Sequence, residues 1–370
     1  MPQDATDVFV IGGGPAGLAV AIAARQRGLT VTVADGAQPP IDKACGEGLL
    51  PDSLTALGRL GIQLPLSEAY AFSGIRFLNP RLSAEAPFPS RQCGVSIRRT
   101  VLHRIMTERA EQLGAHLLWR TSVNGISEDA VRLADRVIHT RWIVGADGAN
   151  SRVRHWAGIQ AAKHPRLRYA FRRHYRTAPW TDHMEIHWGD RCQGYATGVT
   201  NDEVCVALAS YDPQLRLEEG LQELPRLRTR LQGAEIASSE RGALTGNRSL
   251  KRVWRSNVAL VGDASGTVDA ITGEGLGLAF SQASVLAECM HRGDLSPYEK
   301  EHRRLMLRPS LMGRLMLTFD RRPRLQQRTL RVFRKHPHVF RRFLELHVGE
   351  RSPLELAVDG LTLGWGLLTV

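Results

Sequence analysis

Apolar residues follow two different patterns along this chain. Short continuous runs, each followed by residues of helical periodicity, occupy residues 8–150 and return at residues 258–261. Between about residues 166 and 210 the pattern has period two, and Met184 and Trp188 alternate with polar neighbours. Continuous runs are typical of buried parallel strands, whereas alternation is typical of an antiparallel sheet with one solvated or ligand-facing side. The sequence therefore predicts an α/β fold with an inserted antiparallel sheet.

The continuous runs and helical stretches predict the elements of a Rossmann-like domain. Apolar runs predict strands at residues 8–11, 31–33, 116–119, 141–144 and 258–261. Helical periodicity predicts helices at residues 16–27, 52–60, 100–114 and 276–290. Pro51 and Asp52 precede the second helix, so Asp52 is its expected N-cap.

These elements divide the chain into three predicted units. The Rossmann-like domain is discontinuous and comprises residues 1–75, 95–160 and 245–295. The inserted sheet domain comprises residues 76–94 and 161–244, and we expect the sheet that contains Trp188 to roof a substrate pocket. Residues 296–370 form a basic, helical C-terminal segment.

Glycines interrupt the first apolar run in the spacing GxGxxG. Gly12 permits a tight turn, Gly14 lets a pyrophosphate approach the backbone, and Gly17 lets the following helix pack closely. That helix begins at Ala16, where its N-terminus favours phosphate charge. Asp35 ends the next strand about 20 residues later, where a carboxylate can accept hydrogen bonds from a ribose. The whole arrangement predicts a dinucleotide site.

Two further glycine-and-acid motifs occur later in the chain, GADGANSRVR at residues 145–154 and VALVGDASGTVDAITGEGLGLAF at residues 258–280. Together with the first motif, in this order and spacing, they make the chain resemble the flavoprotein superfamily of para-hydroxybenzoate hydroxylase and geranylgeranyl reductase. The three motifs anchor most of residues 1–290. The resemblance implies an FAD-dependent oxidoreductase.

The resemblance also implies which residues of the later motifs contact FAD. Asp147 and Gly148 are expected near the pyrophosphate, although Asp147 could instead cap a helix. Gly262 ends a strand, and Asp263 after it can hydrogen-bond the ribityl chain. Backbone amides of the next glycine loop are expected to face the pyrimidine ring of the flavin; this loop consists of Gly273, Glu274, Gly275 and Leu276.

Two more contacts are implied outside those motifs. Arg99 begins the pattern RxxLxxxMxxxA, in which an Arg of this superfamily contacts FAD, although the adjacent Arg98 leaves the register open. Cys45 and Gly46 belong to a loop expected against the flavin. The Cys45 thiol could donate a proton to a substrate carbon, or it could be a small core residue.

Departures from the hydroxylase pattern favour the geranylgeranyl reductase branch. Aromatic hydroxylases usually carry GDAAH, a pair of prolines and GxGxN, where this chain has Gly266, Asp269-Ala270 and Gly277. The segment from Cys45 resembles the CGGGL of the reductase branch, with Glu47 in place of the middle glycine. The same loop resembles the GESLLP segment of flavin-dependent halogenases, but their WxWxIP string is absent.

The resemblance therefore implies FAD-dependent reduction of a carbon–carbon double bond in a lipophilic, prenyl- or polyketide-like substrate. The alternative is hydroxylation through a flavin hydroperoxide, and less favoured alternatives are a halogenase or a non-catalytic flavin module. No second GxGxxG marks a nicotinamide domain, so NAD(P)H or another donor is expected to bind only transiently.

The excess positive charge of the chain lies in the C-terminal segment. Residues 300–351 contain fifteen Lys or Arg and four Asp or Glu, nearly the whole excess of +12. Apolar residues among them predict amphipathic basic helices at residues 303–319 and 330–346, and residues 353–370 form a nonpolar end suited to docking on the protein or lining a lipophilic tunnel. The basic faces could be solvated, or they could contact a membrane, an acidic carrier protein or a diphosphate substrate. No nucleic-acid-binding motif accompanies them.

The remaining composition bears on localisation and metals. Five cysteines without a CxxC pair argue against disulfides and structural zinc, and we predict no metal. No basic region precedes the first apolar run and no apolar stretch reaches 18 residues, so neither a signal peptide nor a membrane span is expected. The prediction is a cytoplasmic protein, either free or peripheral to the membrane.

Overall fold

The computed structural model describes residues 5–160 and 167–351. Its strands are β1 Ala5–Ile11, β2 Val31–Ala34, β3 Gly48–Leu49, β4 Ala69–Phe72, β5 Gly74–Leu78, β6 Ser83–Pro87, β7 Gly94–Ile97, β8 His116–Leu118, β9 Gly125–Ile126, β10 Ala130–Arg132, β11 Val137–Gly145, β12 Arg168–Arg176, β13 His183–Trp188, β14 Cys192–Thr200, β15 Glu203–Ser210, β16 Glu235–Ile236, β17 Arg241–Thr245, β18 Trp254–Arg255 and β19 Val258–Leu260. Its α-helices are α1 Pro15–Arg25, α2 Pro51–Arg59, α3 Arg99–Gln112, α4 Arg152–Trp156, α5 Leu217–Gln222, α6 Pro225–Arg230, α7 Gly275–Arg292, α8 Ser296–Asp320, α9 Pro323–Lys335 and α10 Pro337–His347.

The first sheet is the parallel sheet that the apolar runs predict. Its parallel strands lie in the order β19-β11-β1-β2-β8, and Val8 of β1 pairs with Val31 on one side and Trp142 on the other. Helices α1 and α7 cover one face, and their small apolar residues contribute to the largest buried cluster. The expected N-cap at Asp52 is wrong: α2 begins at Pro51, its N-cap is Leu50, and Asp52 lies in the first turn.

The second sheet is the inserted, mainly antiparallel sheet. Its order is β16-β12-β15-β14-β13-β5-β6, and β17 pairs with residues 168–172 of β12 while β16 pairs with residues 175–176. Only the β13–β5 pair is parallel. It therefore combines strands from residues 74–87 with strands from residues 168–245. A smaller antiparallel sheet, β3-β7-β4, joins the two large sheets and was not predicted as a sheet.

The two faces of β12 carry different side chains, as its period-two pattern requires. Phe171 and Tyr175 face a buried apolar cluster beneath α5 and α6. Arg168, Arg172 and His174 point to the opposite side and are almost completely buried. That opposite side is polar, and it faces the first sheet.

The C-terminal helices cover the part of the second sheet that β5, β6 and β13 form. Trp188 is buried there, stacked on Phe77 at 4.8 Å between ring centroids, and Phe340 packs on the other side of Phe77. The sheet lines the cleft described below, whereas the side chain of Trp188 lies in a core beneath α9 and α10. Its neighbour Met184, on the same face, lines the cleft described below.

The expected helix over residues 330–346 is two helices. Pro337 has no N–H to donate and restricts the residue before it, so α9 ends at Lys335 and α10 begins at Pro337. Within residues 5–160 and 167–351, no helix is both long and apolar enough to cross a bilayer. The nonpolar end at residues 353–370 lies outside the described residues.

Candidate active site

A cleft of about 570 Å³ lies between the carboxyl edge of the first sheet and the polar face of the second. Ligands of open α/β sheets bind at this edge, because the loops after the strands converge there. Fourteen of the residues predicted to bind the cofactor line the cleft: Gly12, Gly14, Ala16, Asp35, Cys45, Gly46, Arg99, Asp147, Gly148, Gly262, Asp263, Gly273, Gly275 and Leu276. The three separate motifs are therefore brought to one place.

The first glycine loop has the shape that a pyrophosphate requires. Gly12 has a φ of +113°, and a Cβ on it would lie 2.5 Å from the carbonyl oxygen of Ala146. Gly17 lies outside the cleft lining, and its Cβ would lie 1.8 Å from the oxygen of Gly12, so it sets the close approach of α1. At Gly14 a Cβ would meet no atom within 4 Å. The space above Gly14 is open to the cleft, as a cradle for a phosphate should be.

Asp35 ties the glycine loop to the end of β2. Its Oδ2 accepts a hydrogen bond from Gly13 N at 2.7 Å, and its Oδ1 accepts one from Ala37 N at 2.7 Å. A carboxylate has about four acceptor positions, so both oxygens can still accept from ribose hydroxyls. The acid therefore orders the loop and remains available to a dinucleotide.

Asp147 caps a helix, which was the alternative prediction for this residue, and it also lines the cleft. Its Oδ2 accepts from Arg152 N at 2.7 Å and from Val153 N at 3.2 Å, which caps α4. Its Oδ1 is buried and has no hydrogen-bond partner among the described residues. A bound ligand that donates a hydrogen bond would satisfy this oxygen.

The two neighbouring arginines at the start of α3 have different surroundings. Arg98 forms a bidentate ion pair with Glu203, whereas Arg99 lines the cleft. Within the described part of the chain, Arg99 Nε is buried without a hydrogen-bond partner. Of the two arginines, Arg99 is therefore the one placed to contact an anionic cofactor. In the same cleft, Asp263 Oδ2 lies 3.3 Å from Lys43 Nζ.

Glu274 was predicted to contribute its backbone amide to the flavin site, and its side chain lies elsewhere. Its side chain does not line the cleft but a second cavity of about 330 Å³, where its Oε1 lies 2.9 Å from Arg308. Burial raises the pKa of Glu274 to about 8, although Arg308 acts in the opposite direction. Burial also lowers the pKa of His347, whose Nδ1 lies 3.8 Å from Glu274 Oε2, to about 4. Only the backbone of Glu274, as the N-cap of α7, remains a candidate for the flavin loop.

Glu47, Arg172 and His174 form a buried polar cluster at the cleft that was not predicted as a functional site. His174 Nε2 lies 2.6 Å from Glu47 Oε2, and Arg172 Nε lies 4.0 Å from Glu47 Oε1. Glu47 and Arg172 line the cleft. The alternate positions Arg168, Arg172 and His174 of β12, interrupted by Ala170, could have indicated this polar row, but nothing in the sequence pairs it with Glu47.

The same cluster has one donor set with metal-ligand chemistry, Glu47, His174 and Cys205. Arg172 NH1 lies 3.3 Å from His174 Nδ1, and this cation would repel a metal ion. Burial holds the pKa of the Cys205 thiol well above its usual range, which disfavours the thiolate that a metal requires. These contacts favour a hydrogen-bonded cluster over a metal centre.

Known proteins resemble the chain over most of its length. A family model described as an FAD binding domain matches residues 5–292. The chain is 29% identical to the menaquinone reductase of Mycolicibacterium smegmatis over 79% of this chain and 78% of the relative. It is 26% identical to digeranylgeranylglycerophospholipid reductase 1 of Methanothermobacter thermautotrophicus over 73% of each. A flavin-dependent brominase has the same fold, with a TM-score of 0.81 and 16% identity over 98% of both chains.

Three features of the cleft fit FAD. They are the open space at Gly14, the unpartnered polar atoms of Asp147 and Arg99, and Asp35 after β2. All of them lie within the residues that the family model matches. The chain therefore belongs to the FAD-binding domain family and is an FAD-dependent oxidoreductase of the para-hydroxybenzoate hydroxylase and geranylgeranyl reductase superfamily.

Proposed function

We propose that this enzyme reduces carbon–carbon double bonds in the prenyl chain of a lipid. The observation that carries this proposal is a patch of small and apolar side chains on the second sheet, beside the polar side chains of the same cleft wall. That wall leaves room for a flexible hydrocarbon chain and includes Ala170, Met184, Ala207, Ala209, Ala243 and Leu244. Relatives named menaquinone reductase and digeranylgeranylglycerophospholipid reductase support reduction of a polyprenyl lipid.

Different residues of the cleft would serve different steps of such a reaction. Gly12, Gly14 and the N-terminus of α1 would hold the pyrophosphate of FAD, and Asp35 its ribose. Reduced FAD supplies a hydride when it is bound. The second sheet covers the cleft and keeps water from the reacting atoms, while Cys45 remains a candidate proton donor at its edge.

The electron donor is proposed to be NAD(P)H or another reductant that binds transiently. It would leave after reducing the cofactor, so that the lipid can then occupy the same cleft. Anaerobic bleaching of the protein-bound flavin by NADH or NADPH would identify the donor.

The test of the reaction is anaerobic turnover. A polyprenyl glycerolipid in detergent micelles, which has no quinone ring to accept electrons, should reoxidise the flavin of the chemically reduced protein, and mass spectrometry should find two added hydrogens per reduced bond. Substrate-dependent oxygen consumption with insertion of an oxygen atom would instead establish the hydroxylase alternative. Stable reduced flavin with no product in either experiment would indicate a non-catalytic flavin module.

We further propose that the helical layer of α9 and α10 brings this enzyme to an anionic lipid surface. Between residues 321 and 347 there are nine Arg or Lys and one acid, Glu345. All nine cationic residues are exposed, while the opposite side of the layer is packed on β6. Leu307 and Leu311 of the neighbouring α8 are also exposed, so apolar side chains accompany the charge. Cations and apolar groups together are typical of proteins that lie on anionic bilayers.

Neutralising part of this layer should weaken binding to phosphatidylglycerol vesicles by at least about 100-fold, because each exposed cation near an anionic surface contributes about 1 kcal/mol. The variant replaces four exposed residues of α9 by Gln: Arg324, Arg331, Arg334 and Lys335. A matched variant removes the same charge elsewhere, at Arg228, Arg230, Lys251 and Arg252. Vesicle cosedimentation measures both, and equal loss in the two variants, or equal binding to phosphatidylcholine vesicles, would contradict the proposal.

A further inference from the structure

Glu47 combines strain, burial and a place in the cleft wall. Its φ is +62°, in the left-handed region that residues with a side chain rarely adopt. Its carboxyl group is buried, although the residue lines the cleft. Such strain costs about 1–3 kcal/mol and persists mainly where the surroundings over-determine it, commonly at functional sites. A glycine at this position would avoid the cost, so the carboxyl group itself needs an explanation.

The Glu47 carboxyl group is surrounded by hydrogen-bond donors. Its Oε2 lies 2.6 Å from His174 Nε2, and its Oε1 accepts a hydrogen bond from Arg99 N at 2.8 Å. Arg172 lies 4.0 Å away, and the buried Cys205 thiol adjoins the same group. These contacts fix one orientation of the carboxyl group, and among the contacting side chains the imidazole of His174 presents one ring nitrogen to Glu47 and the other away from it.

His174 extends the cluster away from the cleft towards solvent. Its Nδ1 lies 2.8 Å from Ser238 Oγ, and Ser238 is half-buried. Arg172 NH1 also lies 3.3 Å from Nδ1 and can only donate, so Nδ1 is an acceptor at rest and the Ser238 hydroxyl can donate a proton to it. The atoms Ser238 Oγ, His174 Nδ1 and Nε2, and Glu47 Oε2 thus form a continuous path from near the surface to the cleft.

We propose that Ser238, His174 and Glu47 form a proton relay for the double-bond reduction proposed above, on which this inference rests. In that reaction the π bond is replaced by two C–H bonds. One carbon receives the hydride that oxidises the reduced cofactor, and the other receives a proton from the Glu47 carboxyl group. Glu47 then recovers a proton from His174 Nε2, and His174 Nδ1 recovers one from solvent through Ser238 Oγ. Glu47 is thus assigned as a catalytic residue.

The main test compares Glu47→Gln and Glu47→Gly as FAD-loaded proteins. General acids contribute about 10²–10⁴-fold, so anaerobic reoxidation of photoreduced flavin by a polyprenyl glycerolipid should slow at least about 100-fold in both variants, with FAD affinity unchanged. Glu47→Gly suits the left-handed φ and leaves space for a small acid. Added formate should therefore restore the rate of Glu47→Gly but not of Glu47→Gln. A wild-type rate in Glu47→Gln, or no rescue by formate, would overturn the relay.

A matched control is available on the same sheet. Glu185 and His187 form another buried pair, with Glu185 Oε2 3.0 Å from His187 Nε2, but neither residue lines the cleft. Glu185→Gln should keep the reoxidation rate within about threefold of wild type, since it removes a similar buried charge far from the reaction. A loss equal to that of Glu47→Gln would mean that any buried pair of this sheet has the same effect through stability.

A measurement without substrate separates the relay from the proposed reaction. Negative charge that enters the cleft on reduction should draw protons onto the Glu47–His174 pair. A pH-indicator dye should therefore record more protons taken up per flavin in the wild type than in Glu47→Gln. If the polyprenyl glycerolipid fails to reoxidise the wild-type flavin while this difference is present, the proposed substrate is wrong and the relay stands. Equal uptake, or a stoichiometric metal bound by Glu47 and His174, would overturn the relay whatever the substrate.

Discussion

Gly14→Val should fold normally and lose FAD. Gly14 is the N-cap of α1, with φ −71° and ψ 177°, a conformation that any L-residue adopts. A Cβ there meets no protein atom within 4 Å, so the side chain of Val would project into the cleft. That space is the expected position of the pyrophosphate, whose close approach to the backbone requires a glycine. We expect affinity for FAD to fall by at least about 100-fold, equivalent to about 2.7 kcal/mol.

The experiment is a titration of the apoprotein with FAD, followed by flavin fluorescence, together with its thermal unfolding. Gly58→Val is the matched control, because Gly58 also has open space around it but lies exposed on α2, outside the cleft lining. It should bind FAD with wild-type affinity. Both apoproteins should unfold within about 1 kcal/mol of the wild type, as substitutions without clashes usually do. Normal FAD binding by Gly14→Val would show that the pyrophosphate lies elsewhere.

The contrast between Gly14 and Gly12 explains why the first motif is so informative in sequence. Gly12 is required by the protein itself, since its φ is positive and the backbone of Ala146 lies against it. Gly14 is required only by a ligand. Both demands are local consequences of a strand, a turn and a helix that follow one another directly, so a short stretch of sequence contains all of them.

Contacts between segments far apart in the sequence could not be predicted from such local patterns. The strand pattern predicted an antiparallel sheet with a polar face, and this is confirmed in β12 to β15. Yet the position of Trp188 depends on α9 and α10 covering that face, and no local pattern specifies it. Glu274 likewise has the spacing of a flavin-loop residue, but its side chain turns to Arg308 on α8. Tertiary partners decided both outcomes.

Asp269 shows how a departure from a family pattern can acquire a physical reason. In sequence, Asp269 and Ala270 simply replace the prolines of the hydroxylases. In the structure, Asp269 is buried, and its Oδ1 accepts from Ile271 N at 3.0 Å and pairs with Arg168 NH1 at 2.9 Å. Arg168 NH2 also lies 3.7 Å from Asp320 at the end of α8. Arg168 of the second sheet thus contacts both Asp269, in the segment before Gly273, and Asp320 at the end of α8.

Arg168→Met should therefore be the most destabilising of these substitutions. Methionine fills much of the same space but leaves Asp269 and Asp320 buried without their cation, and breaking a buried pair in this way costs about 3–5 kcal/mol. Chemical denaturation of the apoprotein should show this loss at neutral pH. Arg176→Met, at the exposed end of the same strand where Arg176 meets Glu235 at 3.5 Å, should cost less than about 1 kcal/mol.

The loss of stability in Arg168→Met should also change with pH in a defined direction. Burial already raises the pKa of Asp320 in the wild type, where Arg168 acts in the opposite direction. Without Arg168, the folded-state pKa of Asp320 should rise further above its unfolded value. The folded variant then binds more protons than the unfolded chain, so its stability increases as the pH falls through the raised folded value. The deficit of Arg168→Met should accordingly be largest at neutral pH and smaller under mildly acidic conditions; a deficit that grows on acidification would contradict the role assigned to this arginine.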